Sequence, residues 1–323
     1  AGRSEARIRK QARQSAEKIA FFVLPQNIYV CGACAADFLM CRRFIMRDIS
    51  CTEITDCVRD MFIKANTVLP EDVAECIDCS AKCEKNARAK EILGLLSDNA
   101  QIAAETGIPI CQDTGMAFVF VKLGQEVHIT GGSLREAVNE GVRRAYGEGY
   151  LRKSVADPLT RVNTGDNTPA IIYFDVVEGD AFEITALPKG FGSENMSRIA
   201  MMNPTSGEDD IIRFIVETVK SAGGNPCPPT VIGVGIGGSF DYAAFLAKKA
   251  LSRPVGVIDD SRESRLERRI LKALNKTGVG PQGLGGDTTS LWVNVETYPT
   301  HIASLPVAVN VSCHATRHDR TEL

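Results

Sequence analysis

The four residues Pro226-Cys227-Pro228-Pro229 restrict this chain more than any others. Three of them lack an amide hydrogen, so the segment cannot be helix interior, and its stiff backbone holds the Cys227 thiol at a fixed angle. Two further cysteines stand in comparable settings. Cys111 lies on the turn Ile108-Pro-Ile-Cys-Gln-Asp-Thr-Gly115, where an amide, a carboxylate and a hydroxyl follow it at once. The apolar run Met116–Val121 comes next and reads as a buried strand. Cys313 ends the last apolar strand, in Asn310-Val-Ser-Cys-His-Ala-Thr-Arg317. All three thiols sit where strands meet turns, as a shared site requires. A loop thiol among polar groups suits a ligand or nucleophile better than packing. Each cysteine taken alone also fits a buried structural role, and their spacing is too long for any spacing rule to single them out.

Residues 1–45 do not match the rest of the chain and form an unassigned N-terminal extension. Ala1 to Lys18 is basic enough for one amphipathic helix, and Glu5 and Glu17 spoil its likeness to a transit peptide. Cys31, Cys34 and Cys41 lie here, and a CxxC without a second pair is weak evidence for a metal. Residues 46–323 read as one catalytic unit, with a helical region followed by a mixed-sheet α/β domain. Ser50 and Glu53 form a capping box, and Ile54, Val58, Met61, Phe62 and Ala65 make a helical stripe. A second helix starts at Pro70. A third carries Ile92, Leu93, Leu95, Leu96 and Ile102 and stops at Gly107.

Ser133 and Glu136 predict another capping box. Ala170–Val177 and Ala181–Leu187 predict a hairpin around Glu178-Gly-Asp180. Helices are expected over 209–222, 241–251 and 261–275, and strands over 230–234, 255–258, 291–297 and 305–311. That alternation argues a mixed sheet.

Composition narrows the function. A net charge of -3 gives no electrostatic case for nucleic acid. The most apolar stretch, Phe21 to Met40, is broken by Pro25 and carries Asp37, so no membrane span is expected. Eleven cysteines in 323 residues are too few for a disulfide scaffold and more than packing requires. A reducing cytoplasm with metal or cluster use is the expectation.

Three other patterns compete for a role. Cys76, Cys79 and Cys83 share one helical face with Val73 and Ile77, which reads as a buried stripe of small hydrophobes rather than a cluster motif. Gly233-Val-Gly-Ile-Gly-Gly238 has the placement of a dinucleotide fingerprint, with Asp259-Asp260 after a later strand to hold a ribose. It equally fits a glycine turn that lets backbone approach something else. Finally, Gln112, Asp113 and Thr114, then Arg152 and Lys153, then 163–168 and 189–195, supply carboxylates, amides and cations. Such groups suit a bidentate grip on a carboxylate, or a solvated surface.

Five motifs occur together in order: Ile-Cys111-Gln-Asp-Thr-Gly, Asn163-Thr-Gly-Asp-Asn-Thr-Pro169, Lys189-Gly-x-Gly-Ser-Glu-Asn195, Cys227-Pro-Pro and Leu305-Pro-Val…Cys313. From Met46 to about Arg317 the chain resembles the alpha subunit of class I iron–sulfur fumarate hydratases, in the two-subunit form shared with L(+)-tartrate dehydratase. The resemblance implies a [4Fe-4S] cluster on Cys111, Cys227 and Cys313, with one iron open as a Lewis acid. It implies that Gln112, Asp113, Arg152 and Gly192 contact a dicarboxylate substrate, with Asp113 as acid/base. It also implies a separate beta subunit, hence a hetero-oligomer. Phe191 departs from the glycine that many relatives carry there.

The expected reaction is reversible dehydration of a 2-hydroxydicarboxylate, malate to fumarate first and L(+)-tartrate second. An NAD-dependent dehydrogenase built on the Gly233–Gly238 loop is the alternative of another class. A non-catalytic iron–sulfur or zinc module is the third.

Overall fold

The computed structural model describes residues 46–323, together with the backbone of a short antiparallel pair, Phe22–Val23 with Tyr29–Val30. The proposed Ala1–Lys18 helix and Cys31, Cys34 and Cys41 lie outside the described residues. Asp48–Leu323 is one compact unit.

After strand β1 (Arg47–Ser50), helix α1 (Cys51–Thr67) opens on the capping box expected from Ser50 and Glu53. The Glu53 amide donates to Ser50 Oγ at 3.2 Å and the Ser50 amide to Glu53 Oε2 at 2.9 Å. The Ile54, Val58, Met61, Phe62 and Ala65 stripe is buried, as its spacing predicts. Helix α2 (Glu71–Cys83) comes next, with Pro70 as its N-cap. Helix α3 (Ala87–Thr106) ends at Gly107 in the left-handed conformation. Only part of the α3 stripe is core: Leu93 is buried, whereas Leu95 and Ile102 are exposed. The stripe on α2 also needs correction. Val73 and Ile77 are buried and Cys76 partly so, but Cys79 and Cys83 are exposed, because they sit on the flank of the buried face.

Strand β2 (Met116–Gly124) is followed by β3 (Val127–Thr130), which pairs with β1. Helix α4 (Leu134–Glu148) then packs on α1, with Val138, Val142 and Tyr146 buried in their shared core. Ser133 occupies its N-cap but makes no side-chain cap bond, so the second capping box does not form.

Strands β4 (Ile171–Val177) and β5 (Phe182–Lys189) do not make the expected hairpin. β2 lies between them, parallel to β4 and antiparallel to β5. The Glu178–Asp180 turn instead arches over the end of β2, whose Gly124, Gln125 and Glu126 amides bond to Ala181, Val177 and Gly179 carbonyls. β2 is apolar on both faces, and a central position is what buries both.

A four-residue helix, α5 (Phe191–Glu194), leads to β6 (Arg198–Met202), α6 (Glu208–Ala222), β7 (Thr230–Gly237) and α7 (Phe240–Ala250). Residues 255–258 are not a strand, and the chain passes straight to α8 (Arg262–Asn275). Strands β8 (Ser290–Tyr298), β9 (Leu305–Ser312) and β10 (Asp319–Glu322) close the chain. One sheet has the order β8-β7-β9-β6 and the other β10-β5-β2-β4. Both contain parallel and antiparallel pairs, so the fold is mixed-sheet α/β.

The glycines at 233 and 235 face protein, not a nucleotide. A Cβ at Gly233 would lie 2.1 Å from the Ala247 carbonyl oxygen, and one at Gly235 would lie 2.1 Å from that of Ala243. Their lack of a side chain lets α7 lie directly on β7. With no strand at 255–258, the fingerprint also loses the element that would present Asp259 and Asp260.

Candidate active site

Sheet register brings two of the three sequence-selected cysteine loops together, and a hydrogen bond ties the third to them. β7 and β9 are antiparallel, with Ser312 opposite Val231, so the start of β7 and the end of β9 lie together. Cys227 precedes the first and Cys313 follows the second. The His314 amide donates to the Cys227 carbonyl at 3.3 Å, joining the two loops. In the other sheet Met116 pairs with Lys189, which sets the Cys111 loop beside the Lys189–Asn195 motif. Arg317 crosses between the groups by donating through Nη2 to the Asp113 carbonyl.

The Cys111 loop is held from several sides. Behind it, the Ile110 amide donates to the Asn66 carbonyl at 2.9 Å, and Asn99 Nδ2 donates to the Ile110 carbonyl at 3.0 Å. Ahead, the Asp113 amide lies 3.4 Å from Cys111 Sγ, which itself lies 3.3 Å from Gln112 Oε1. The Asp113 carboxylate accepts from the Gly115 amide at 3.1 Å and the Phe191 amide at 2.8 Å. Gly115 needs φ +79°, and a Cβ there would sit 2.6 Å from Lys189 backbone, so only glycine allows this approach. Tyr146 and Asn167, both buried, bond the Thr114 and Gly115 carbonyls.

Asp113, Gly115, Met116, Ser154, Val155, Ala156, Arg161, Phe191 and Asn195 line an open cavity of ≈ 470 Å³. Arg152 is tied in only by its backbone, whose carbonyl accepts from Thr114 Oγ1 at 3.2 Å. Its side chain is exposed, and Gln112, Arg152 and Gly192 are not among the lining residues. Arg161, which sequence reasoning passed over, is. No sequence signal marks it, since its place depends on how 150–165 folds back.

Beneath α5 lies a buried ionic network. Lys189 is 1% exposed; its Nζ donates to Ser193 Oγ at 2.8 Å and lies 3.3 Å from Glu194 Oε2. Lys248 Nζ, from α7, is 2.5 Å from the same oxygen, and Asn310 Nδ2 donates to Glu194 Oε1 at 3.3 Å. Burial alone would raise the Glu194 carboxyl, but the two lysines outweigh it and hold it below its ordinary value. Burial pulls Lys248 down to about 8 despite Glu194. This network anchors the short helix whose first amide holds Asp113.

Desolvation pushes the Cys227 thiol up, and the neighbouring Cys313 and Cys111 add to the rise. Desolvation raises Cys313 as well, against the pull of Arg317 and Lys189. Cys227 and Cys313 thus both lie within electrostatic reach of the Cys111 side chain. Among the described residues no three His, Cys, Asp or Glu side chains are close enough to hold a single metal ion. A cluster asks for something else, because each of its thiolates binds a different iron. Three cysteines on three neighbouring loops are a donor set of a kind that fits such a group.

Mixed sheets, cysteines at the ends of neighbouring loops and a carboxylate at a cavity edge are the features that a comparison with known proteins has to account for. A family model described as Fumarate hydratase (Fumerase) matches residues 55–322. The chain belongs to that family and is an enzyme of the hydro-lyase class. It is 43% identical over 272 residues to a Methanocaldococcus jannaschii protein named "Putative L(+)-tartrate dehydratase subunit alpha", covering 82% of this chain and 95% of that one. An Escherichia coli L(+)-tartrate dehydratase subunit alpha is 32% identical over 270 residues, covering 82% and 89% respectively. A Shigella sonnei protein of the same name is 31% identical over 270 residues, with the same coverage.

Proposed function

We propose that this chain is the alpha subunit of a [4Fe-4S] hydro-lyase that dehydrates a 2-hydroxydicarboxylate, with L(+)-tartrate ahead of malate. The sequence motifs favoured malate; the names of the relatives favour the tartrate alternative. What supports the reading is the joining of the Cys227 and Cys313 loops at the ends of β7 and β9, with Arg317 tying them to the Cys111 loop and its cavity-lining Asp113.

Cys111, Cys227 and Cys313 are the residues that would hold the cluster. When bound, the cluster supplies a Lewis-acidic iron that activates the substrate hydroxyl for departure. The chain's own groups do the rest. Asp113 stands within reach of the cavity, held by two backbone amides, and moves the proton lost from the carbon beside a carboxylate. Arg152 and Arg161 are exposed cations that make no ion pair among the described residues, and they offer the charge a dicarboxylate needs. Gln112 adjoins Asp113 on the Cys111 loop, Gly192 lies in α5 next to the Phe191 amide that holds Asp113, and both complete the substrate contacts.

The cavity is open, and Tyr150 and Leu159 beside it are 93% and 90% exposed. Large apolar groups left in water beside a catalytic cavity support a partner, the beta subunit, that closes the site. All eight described cysteines are free, which supports a reducing cytoplasm. No helix among the described residues is long and apolar enough to cross a membrane.

Anaerobic reconstitution with iron and sulfide tests the reading. The full chain should show the broad visible band of a [4Fe-4S] centre, and Cys111→Ala, Cys227→Ala or Cys313→Ala should each abolish it. Cys76→Ala, Cys79→Ala and Cys83→Ala should leave it intact. The opposite pattern overturns the ligand assignment. With the partner present, a higher kcat/KM for malate than for L(+)-tartrate overturns the substrate order.

A further inference from the structure

Arg317 is 3% exposed and carries a charge that no carboxylate answers among the described residues. Its Nη2 donates to the Asp113 carbonyl, while Nε and Nη1 are buried with no hydrogen-bond partner. Other buried or half-buried cations are treated differently. Lys189 and Lys248 share Glu194, and Arg253 reaches Glu267 and Glu296 at 3.2 Å each. A guanidinium offers five donors in a rigid fork, and burying it half-satisfied without an anion is among the costlier arrangements a fold can hold. Folds keep such arrangements where a ligand or function completes them.

The chain around Arg317 says which anion completes it. Cys313 stands four residues earlier, directly after β9. The one bond Arg317 does make runs to the loop that carries Cys111. It therefore reaches toward two of the three cysteine loops, and His314 links the third. Cysteines bind metal groups as thiolates, so loading the site gathers three negative charges in a partly buried place.

We propose that Arg317 is the resident counter-cation of the centre formed by Cys111, Cys227 and Cys313, and that its charge sets how firmly that centre holds its metal group. It is a positioning residue, acting through the thiolates rather than on the substrate. The inference rests on the cysteine assignment made above.

Two variants of the full chain separate charge from hydrogen bonding. Arg317→Lys keeps the charge, and Arg317→Gln keeps a donor for the Asp113 carbonyl without the charge. After anaerobic reconstitution, Arg317→Gln should lose its cluster to a chelator roughly 10- to 100-fold faster than the unsubstituted chain, the usual weight of a group that supports metal ligands. Its reduction potential, followed by electron paramagnetic resonance, should move to more negative values. Arg317→Lys should stay near the unsubstituted chain in both. The proposal fails if Arg317→Gln matches the unsubstituted chain, or if Arg317→Lys is as impaired as Arg317→Gln. It also fails if Arg317→Gln only raises KM while cluster retention and potential hold, which would make Arg317 a substrate contact. Should Arg317→Gln not fold, Arg317→Lys decides alone: a folded protein with fast cluster loss or a shifted potential overturns the charge role. Absence of the visible band in the unsubstituted chain would instead defeat the cysteine assignment, so the two failures look different.

Discussion

Asp113 makes contacts through every polar group it has. Its amide faces Cys111 Sγ, its carbonyl takes Arg317, and its carboxylate oxygens hold the Gly115 and Phe191 amides. A Cβ on Gly190 would come within 3.1 Å of that carboxylate. The structure thus gives Asp113 a task beside the proposed proton transfer, which is tying α5 to the Cys111 loop. In the full complex, Asp113→Asn should cut turnover by roughly a hundredfold or more while the visible cluster band survives. The new amide must set one N–H against a backbone N–H, so loss of the band would show that the tie, not the proton, is the larger role. Turnover within a few-fold of normal would place the proton transfer on another group. The loop positions of Cys111, Cys227 and Cys313 were legible from sequence because proline and glycine break the regular elements beside them; their role as ligands remains the proposal. Arg317 and Arg161 were not, because nothing near them in the chain announces their partners. Arg317 owes its burial to a carbonyl 204 positions away.

At the scale of elements, local signals succeeded where one segment decides the outcome. Ser50 and Glu53 capped α1 as expected, and Gly107 ended α3. They failed where neighbours decide. The Glu178–Asp180 turn has the composition of a hairpin, but β2 offered both flanking strands a better partner on each side. Gly233 and Gly235 look like a phosphate loop, yet serve the close seating of α7 on β7. The Lys189–Asn195 motif was legible as polar and glycine-bearing, but Lys248 and Asn310, which complete it, come from α7 and β9. Glu194 is the single anion between two buried lysines, so removing its charge leaves both uncompensated. Glu194→Gln should destabilise the full chain by about 3 kcal/mol, the range seen when one member of a buried pair is lost. Denaturant unfolding measures this, and a loss below about 1 kcal/mol, the weight of a surface pair, would sink the argument.

For the whole molecule, the proposed partner makes the sharpest demand. The cavity beside Asp113 is open, and the segment that lends it Ser154, Val155, Ala156 and Arg161 also exposes Tyr150, Leu159 and Val162 to solvent. A dehydration site needs its water controlled and both ends of the substrate gripped. The purified, cluster-loaded chain alone should therefore turn over L(+)-tartrate and malate at no more than about a hundredth of the rate of the complex, the weight of one missing acid/base group. Steady-state assays before and after adding the partner check this, and full activity from the lone chain would contradict the two-subunit reading.

The three thiols hang from two sheets: Cys111 enters β2, whereas Cys227 and Cys313 flank β7 and β9. A group bound to all three acts as a rivet between layers that otherwise meet through side-chain packing. Anything that binds only the folded form adds its binding free energy to the stability of that form. On the proposed assignment, destroying the cluster with oxygen would pull the rivet as well as stop the chemistry. The damaged protein would then be the looser one, the form that cellular proteases open and remove first.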